Sequence, residues 1–194
     1  MMSGKMIGSR DVIGEEGASV CRLQLFDGPL ELSWHHCATT SDFISDLCVL
    51  RVHLPFRQVR DVRHSVAYLT NELLENAVKF KSSGNVGVEA AISHGWFTIK
   101  TWNRMGAGSA VRLQSVLPEL MAGDAADLLI ERIERNAHSG GTESGLGLLT
   151  LMSDYGVRLA WTFEAVDRSE EVCLETFAAL PIETADMTNA RSHI

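Results

Sequence analysis

The chain has 194 residues, 45% of them apolar, which is enough to bury the core of one ordinary domain. Its formal charge is −8 with a pI near 5.3, and no basic stripe interleaved with aromatics occurs, which argues against a nucleic-acid groove or an anionic membrane surface as partner. Cys21, Cys37, Cys48 and Cys173 show no paired spacing, no apolar run reaches the roughly 18 residues of a membrane span, and MMSGKMIGSRDVIG lacks an apolar signal region, so a cytoplasmic protein with reduced thiols is expected.

Residues 1–15 and 182–194 read as flexible ends around a single domain spanning 16–181. SVCRLQLF and GPLELSWH, joined at Asp27-Gly28, alternate as a hairpin. TTSDFISDLCVLRV follows as a helix with cap candidates at Thr39 to Ser41. A long helix is expected from about Arg57 to Lys81, ended by Ser82, Ser83 and Gly84. NVGVEAAIS and WFTIKTWN alternate as two strands across a tight turn at His94-Gly95. Helices over Ala110 to Met121 and Ala125 to Ala137 precede the polar loop HSGGTES. GLGLLTLMSDYG is then a helix opened by glycines, with Leu148, Leu149, Leu151, Met152 and Tyr155 at core spacing. VRLAWTFEAV and EVCLETFAAL close the chain as a second strand pair. Strand pairs with helices interposed suggest an α/β, two-layer sandwich, a mixed sheet covered by helices on one face.

Two stretches carry chemistry. In NELLENAVKF, residues 71–80, Glu72, Asn76 and Lys79 fall at i, i+4 and i+7 and project along one line, beside an apolar arc of Val66, Leu73, Leu74 and Ala77. Such a stripe is either a solvated helix face or the wall of a pocket able to hold a metal ion and a polyanion. In GGTESGLGLL, glycines 140, 141, 145 and 147 uncover backbone N–H groups where a helix begins, a natural seat for phosphate. The same glycines also suit close packing of the helix on the sheet. Other groupings are weaker. His35, His36 and Cys37 lack a second cluster to complete a metal site. Trp34, Trp96, Trp102 and Trp161 fall at expected strand positions, and Arg132 and Arg135 read as a solvated face that is within reach of a phosphate.

Together the two stretches, over roughly residues 57 to 180, resemble the GHKL superfamily of ATP-binding domains shared by histidine kinases and gyrase. NELLENAVKF looks like its N-box and SGLGLLTLM like its second glycine box. The resemblance implies ATP between these elements, Mg²⁺ coordinated by Asn76, a phosphate-facing charge at Lys79, and phosphates held by the loop around Gly141, Gly145, Leu146 and Gly147. Mg²⁺ takes oxygen ligands and often shares the triphosphate, so one carboxamide from the protein can suffice.

A glutamate four residues before the metal asparagine marks the protein-serine kinases and ATPases of the superfamily. Glu72 holds that place and is implied to be a general base. The plan is similar to bacterial anti-sigma-factor kinases, and closer to SiaB-type regulators. It implies a serine/threonine kinase acting on a regulatory protein of the anti-sigma-antagonist kind in a partner-switching circuit, and it is compatible with a homodimer. One departure stands out. The family's adenine-anchoring aspartate is replaced in WNRMGAG by Asn103, with Gly106 and Gly108 following as the expected turn. A carboxamide makes a weaker bond than a carboxylate. ATP bound weakly, ATP bound only with a partner present, and another adenine-bearing ligand such as FAD in a non-catalytic sensor therefore all remain open.

Overall fold

Along Trp96–Gly106 every second side chain, Phe97, Ile99, Thr101, Asn103 and Met105, is buried, which assigns this strand one face toward a core and one toward solvent. The computed structural model of the chain describes residues 4–13, 18–26, 34–52, 55–139, 145–167 and 169–182. Its strands are β1 (Lys5–Gly8), β2 (Ala18–Leu25), β3 (Ser83–Ser93), β4 (Trp96–Gly106), β5 (Arg158–Ala165) and β6 (Glu171–Pro181). They form a six-stranded sheet in the order β1-β5-β6-β4-β3-β2.

The two-layer α/β sandwich is present, but the mixed sheet is not: all neighbouring pairs are antiparallel. β4 and β5 run the same way, since each is antiparallel to β6, and the intervening helices carry the chain across between them. β6 then inserts between the two, so no parallel ladder forms. The β3–β4 hairpin is the expected one. His94 and Gly95, at φ of 45° and 82°, give the two left-handed residues that a tight turn matched to strand twist requires.

The helices are α1 (Trp34–Val49), α2 (Phe56–Phe80), α3 (Ala107–Met121), α4 (Ala125–Ser139) and α5 (Leu146–Tyr155). α2 spans 25 residues and buries Val66, Leu73, Leu74 and Ala77, the arc expected from its spacing, together with Leu69. Among the described residues, no helix is long and apolar enough to cross a membrane.

Three local expectations are corrected. Trp34 and His35, read as the end of a strand, already belong to α1, and β2 pairs with β3; the remainder of the expected partner strand, residues 27–33, lies outside the described residues. Cys37, Ser41, Ile44, Ser45 and Cys48 are buried at helical spacing, a longer and stronger signal than the short alternation before it. The expected caps are therefore mid-helix: Thr39 and Ser41 donate to the carbonyls of His35 and Cys37, four residues back.

Residues 1–15 are not wholly a flexible end, because Lys5–Gly8 adds to β5 as an edge strand and Val12 packs on Ala160 and Ala179. A four-residue strand is too short to show a period. At the other end Ile182 is buried, with its N–H bonded to the Gly95 carbonyl at 2.7 Å. Residues 183–194 lie outside the described residues.

Candidate functional site

The stripe on α2 faces a cleft between the helices and the sheet. An apolar cavity is walled by Leu73, Asn76, Ala77 and Phe80 of α2. Leu113, Leu117 and Leu120 of α3 and Leu148 of α5 face them, and Asn103, Trp161, Leu174 and Thr176 form the sheet floor. Beside it lies a polar recess lined by Cys37, Glu72, Glu75, Asn76, Lys79 and Gly145. Asn76 and Gly145 line both spaces, so the two lie side by side at these residues. An apolar slot beside a charged recess suits a ligand with an apolar part and a polar part.

Each wall has a local cause. Asn76 and Glu72 reach the cleft because they flank the buried Leu73 and Ala77 on α2. Gly145 caps α5 at φ 107°, a left-handed conformation suited to glycine, and has no side chain to cover the first N–H groups of the helix. Asn103 lies on the buried face of β4, 3% exposed, and its Nδ2 donates to the Arg104 carbonyl at 3.4 Å. Gly147 lies directly against the Glu72 carboxylate: a side chain added there would overlap it.

The recess is electrostatically tuned. Burial, and then the charge of Glu75, hold the Glu72 carboxyl above the ordinary glutamate range, partly opposed by a hydrogen bond donated by Tyr68. Burial, with Glu75 second, pushes the Cys37 thiol up to about 11, so it presents a neutral wall. Tyr68 is also raised, by burial first and Glu72 second, against a hydrogen bond from Thr150.

The structure thus brings together Glu72, Asn76, Lys79, Asn103, Gly145 and Gly147, with Leu146 opening α5. Gly106 and Gly108 are not brought in. β4 runs straight into α3 without the expected turn, neither glycine has a positive φ, and nothing stands within 4 Å of a side chain added at either. Gly141 lies outside the described residues.

Two lining residues were passed over in the sequence. Arg132, read as a solvated face, lines the apolar cavity, and its guanidinium comes within 3.6 Å of where a side chain on Gly145 would begin. Its spacing of four from half-buried Leu128 placed it on the inner side of α4. Thr176 shares the buried parity of Leu174, Ala178 and Leu180, and a polar residue in that register is a signal for a floor group.

The donors in the recess are oxygens, from Asn76, Glu72 and Glu75, which fits Mg²⁺ chemistry. No cluster of three His, Cys, Asp or Glu suited to a metal occurs among the described residues. A cation held here would therefore share its ligands with a bound phosphate.

No family model matches the chain, and no curated protein matches it. Among solved structures, it is similar to a chain of the crystal structure of the SiaB-SiaC complex from Pseudomonas aeruginosa. The TM-score is 0.56 at 15% identity, over 84% of this chain and 91% of that one. At this identity the likeness is one of fold.

Proposed function

We propose that the chain is an ATP-binding protein serine/threonine kinase of a partner-switching circuit, acting on a regulatory protein of the anti-sigma-antagonist kind. The observation that carries this reading is the position of Asn76, which lines both an apolar slot holding Asn103 and a recess holding Glu72 and Gly145 at the N-terminus of α5. A similar fold occurs in a chain of a complex between two proteins, SiaB and SiaC, which supports a protein partner here.

Mg-ATP supplies the transferable γ-phosphoryl group and the charge neutralisation around it. The chain's own residues do the rest. Leu73, Phe80 and Leu148 enclose the base, and Asn103 Oδ1 accepts a hydrogen bond from its amino group. Asn76 offers its carboxamide oxygen to the cation, and Lys79 and the uncovered amides near Gly145 face the phosphates. Glu72 accepts the proton of a serine or threonine hydroxyl on the partner, and burial, which raises its carboxyl above the ordinary glutamate value, makes it the stronger base for that task.

The test is transfer of labelled phosphate from Mg-ATP to the protein encoded beside this one. Glu72→Gln is expected to slow transfer at least about a hundredfold while retaining nucleotide. No transfer by the wild type to a partner that demonstrably binds would sink the kinase assignment. Asn103 favours a second reading, a non-catalytic sensor of a nucleotide or of FAD, because a buried neutral amide stands where the kinase family uses an acid. Denaturing the purified protein and measuring the absorbance of any released ligand distinguishes the two, since flavin is yellow.

A further inference from the structure

Asn103 of β4 pairs with Leu174 of β6, and Thr101 pairs with Thr176, so Asn103 and Thr176 stand diagonally on one face of the sheet. Both line the apolar cavity. Among the described residues no aspartate or glutamate lines it, and its charged lining group is the guanidinium of Arg132, which only donates. The hydrogen-bonding character of that floor decides which edge of a ligand it reads. A carboxylate only accepts and so demands an N–H, whereas a carboxamide and a hydroxyl each donate and accept. Asn103 gives one N–H to the Arg104 carbonyl at 3.4 Å, longer than the about 2.7–3.2 Å of an ordinary bond, so its orientation is held weakly.

Purines differ in this same respect. Adenine presents a donor at its 6-amino group and an acceptor at N1. A 6-oxopurine, guanine or hypoxanthine, presents the reverse, an acceptor at O6 and a donor at N1. The edge of a carboxamide, oxygen and N–H side by side, matches the first pattern, and turned over about its last bond it matches the second. A carboxylate facing the 6-substituent accepts from the amino group and repels the oxo group. We propose that the cavity does not select adenine: its floor, Asn103 with Thr176 beside it, admits nucleotides of 6-oxopurines as readily as ATP. This rests on the reading of the cleft as a nucleotide site, and it names the class of base that the site takes. The phosphoryl donor of the proposed transfer is then a purine triphosphate in general, GTP included.

The test is calorimetry of the full chain with magnesium and three nucleotides that differ around the 6-position: ATP, ITP and purine riboside triphosphate, which carries only hydrogen there. ATP and ITP are expected to bind within about threefold of each other, and both about tenfold more tightly than the purine nucleotide, the scale of one hydrogen bond. Asn103→Asp is expected to separate the first two, retaining ATP and weakening ITP by about tenfold. The comparison on the wild type needs no variant, so it holds even where a buried carboxylate disturbs folding. ITP falling below the stated range in the wild type overturns the proposal, and the nucleotide reading then stands without it. Equal binding of all three overturns it too, because the 6-position is then not read. A folded Asn103→Asp variant that keeps ITP level with ATP removes Asn103 as the reading group and overturns it as well. Failure of the nucleotide reading shows separately, as binding of none of the three.

Discussion

Asn103 shows how one side chain can set both affinity and stability. Its carboxamide is buried and donates one N–H to the Arg104 carbonyl, and in the proposed reading its oxygen faces the ligand. Asn103→Asp offers a charged acceptor that strengthens adenine binding by at most about 1–2 kcal/mol. The same change deletes the bond to Arg104 and sets a carboxylate against a carbonyl, costing about 1–3 kcal/mol of stability. Tighter Mg-ATP binding in calorimetry together with a lower urea midpoint is the expected pair of results, and equal or weaker ATP binding would speak for the sensor. Glu72 provides a pH-dependent counterpart. Its folded-state pKa is raised, so the folded chain binds this proton more readily than the unfolded one, and the ionised carboxylate subtracts from stability at neutral pH. That loss is recovered as the pH falls through the raised value toward the ordinary one. Glu72→Gln should therefore melt higher than wild type at about pH 8, with the difference closing toward about pH 4, in thermal scans across that range.

At the scale of elements, the seating of α5 on α2 depends on what Gly147 lacks. A methyl group there would collide with the Glu72 carboxylate, although alanine is the better helix former. Gly147→Ala is expected to cost about 1–3 kcal/mol in denaturant unfolding, as overpacking does. In a Glu72→Ala background the same substitution should be neutral or stabilising by up to about 1 kcal/mol. A double-mutant cycle reads the difference, and additive effects would show that the two helices do not meet at this contact. The β3–β4 ladder has a similar dependence. Gly87 stands opposite Trp102 on the face away from the helices, and the indole lies over it, so Gly87→Ala forces the ring to move.

For the whole molecule, the sheet has one face committed to the helices and one carrying a layer of aromatic and charged side chains. Lys100 lies 5.4 Å from the Trp102 ring centre and 3.7 Å from Glu175, while Arg22 reaches Glu89 at 2.8 Å. These groups are partly exposed, and pairs of this kind contribute little to stability singly. Their removal is a mild perturbation far from the cleft. Lys100→Ala is expected to change the urea midpoint by no more than about 1 kcal/mol equivalent and to leave Mg-ATP affinity as it was, since the site opens on the other face of the sheet. A drop in nucleotide affinity would tie the two faces together.

What the sequence determined by itself was local. The 3.6-residue spacing of α2 and the strict alternation of β4 are imprinted by burial on every turn and every second residue, and β3, β5 and β6 are apolar enough to read as strands, so these elements and the Glu72, Asn76, Lys79 stripe stood in the text of the chain. β1 did not, because a short edge strand depends on a ready-made partner. The antiparallel order, with β6 inserted between β4 and β5, was decided by pairing between segments far apart along the chain, which no local period encodes. The same holds for the cleft. Arg132 and Thr176 enter it, Gly106 and Gly108 do not, and Glu72 meets Gly147 only because α5 packs down on α2. Side-chain chemistry is written residue by residue, whereas the company each side chain keeps is set by non-local burial and exists only once the helices have closed over the sheet.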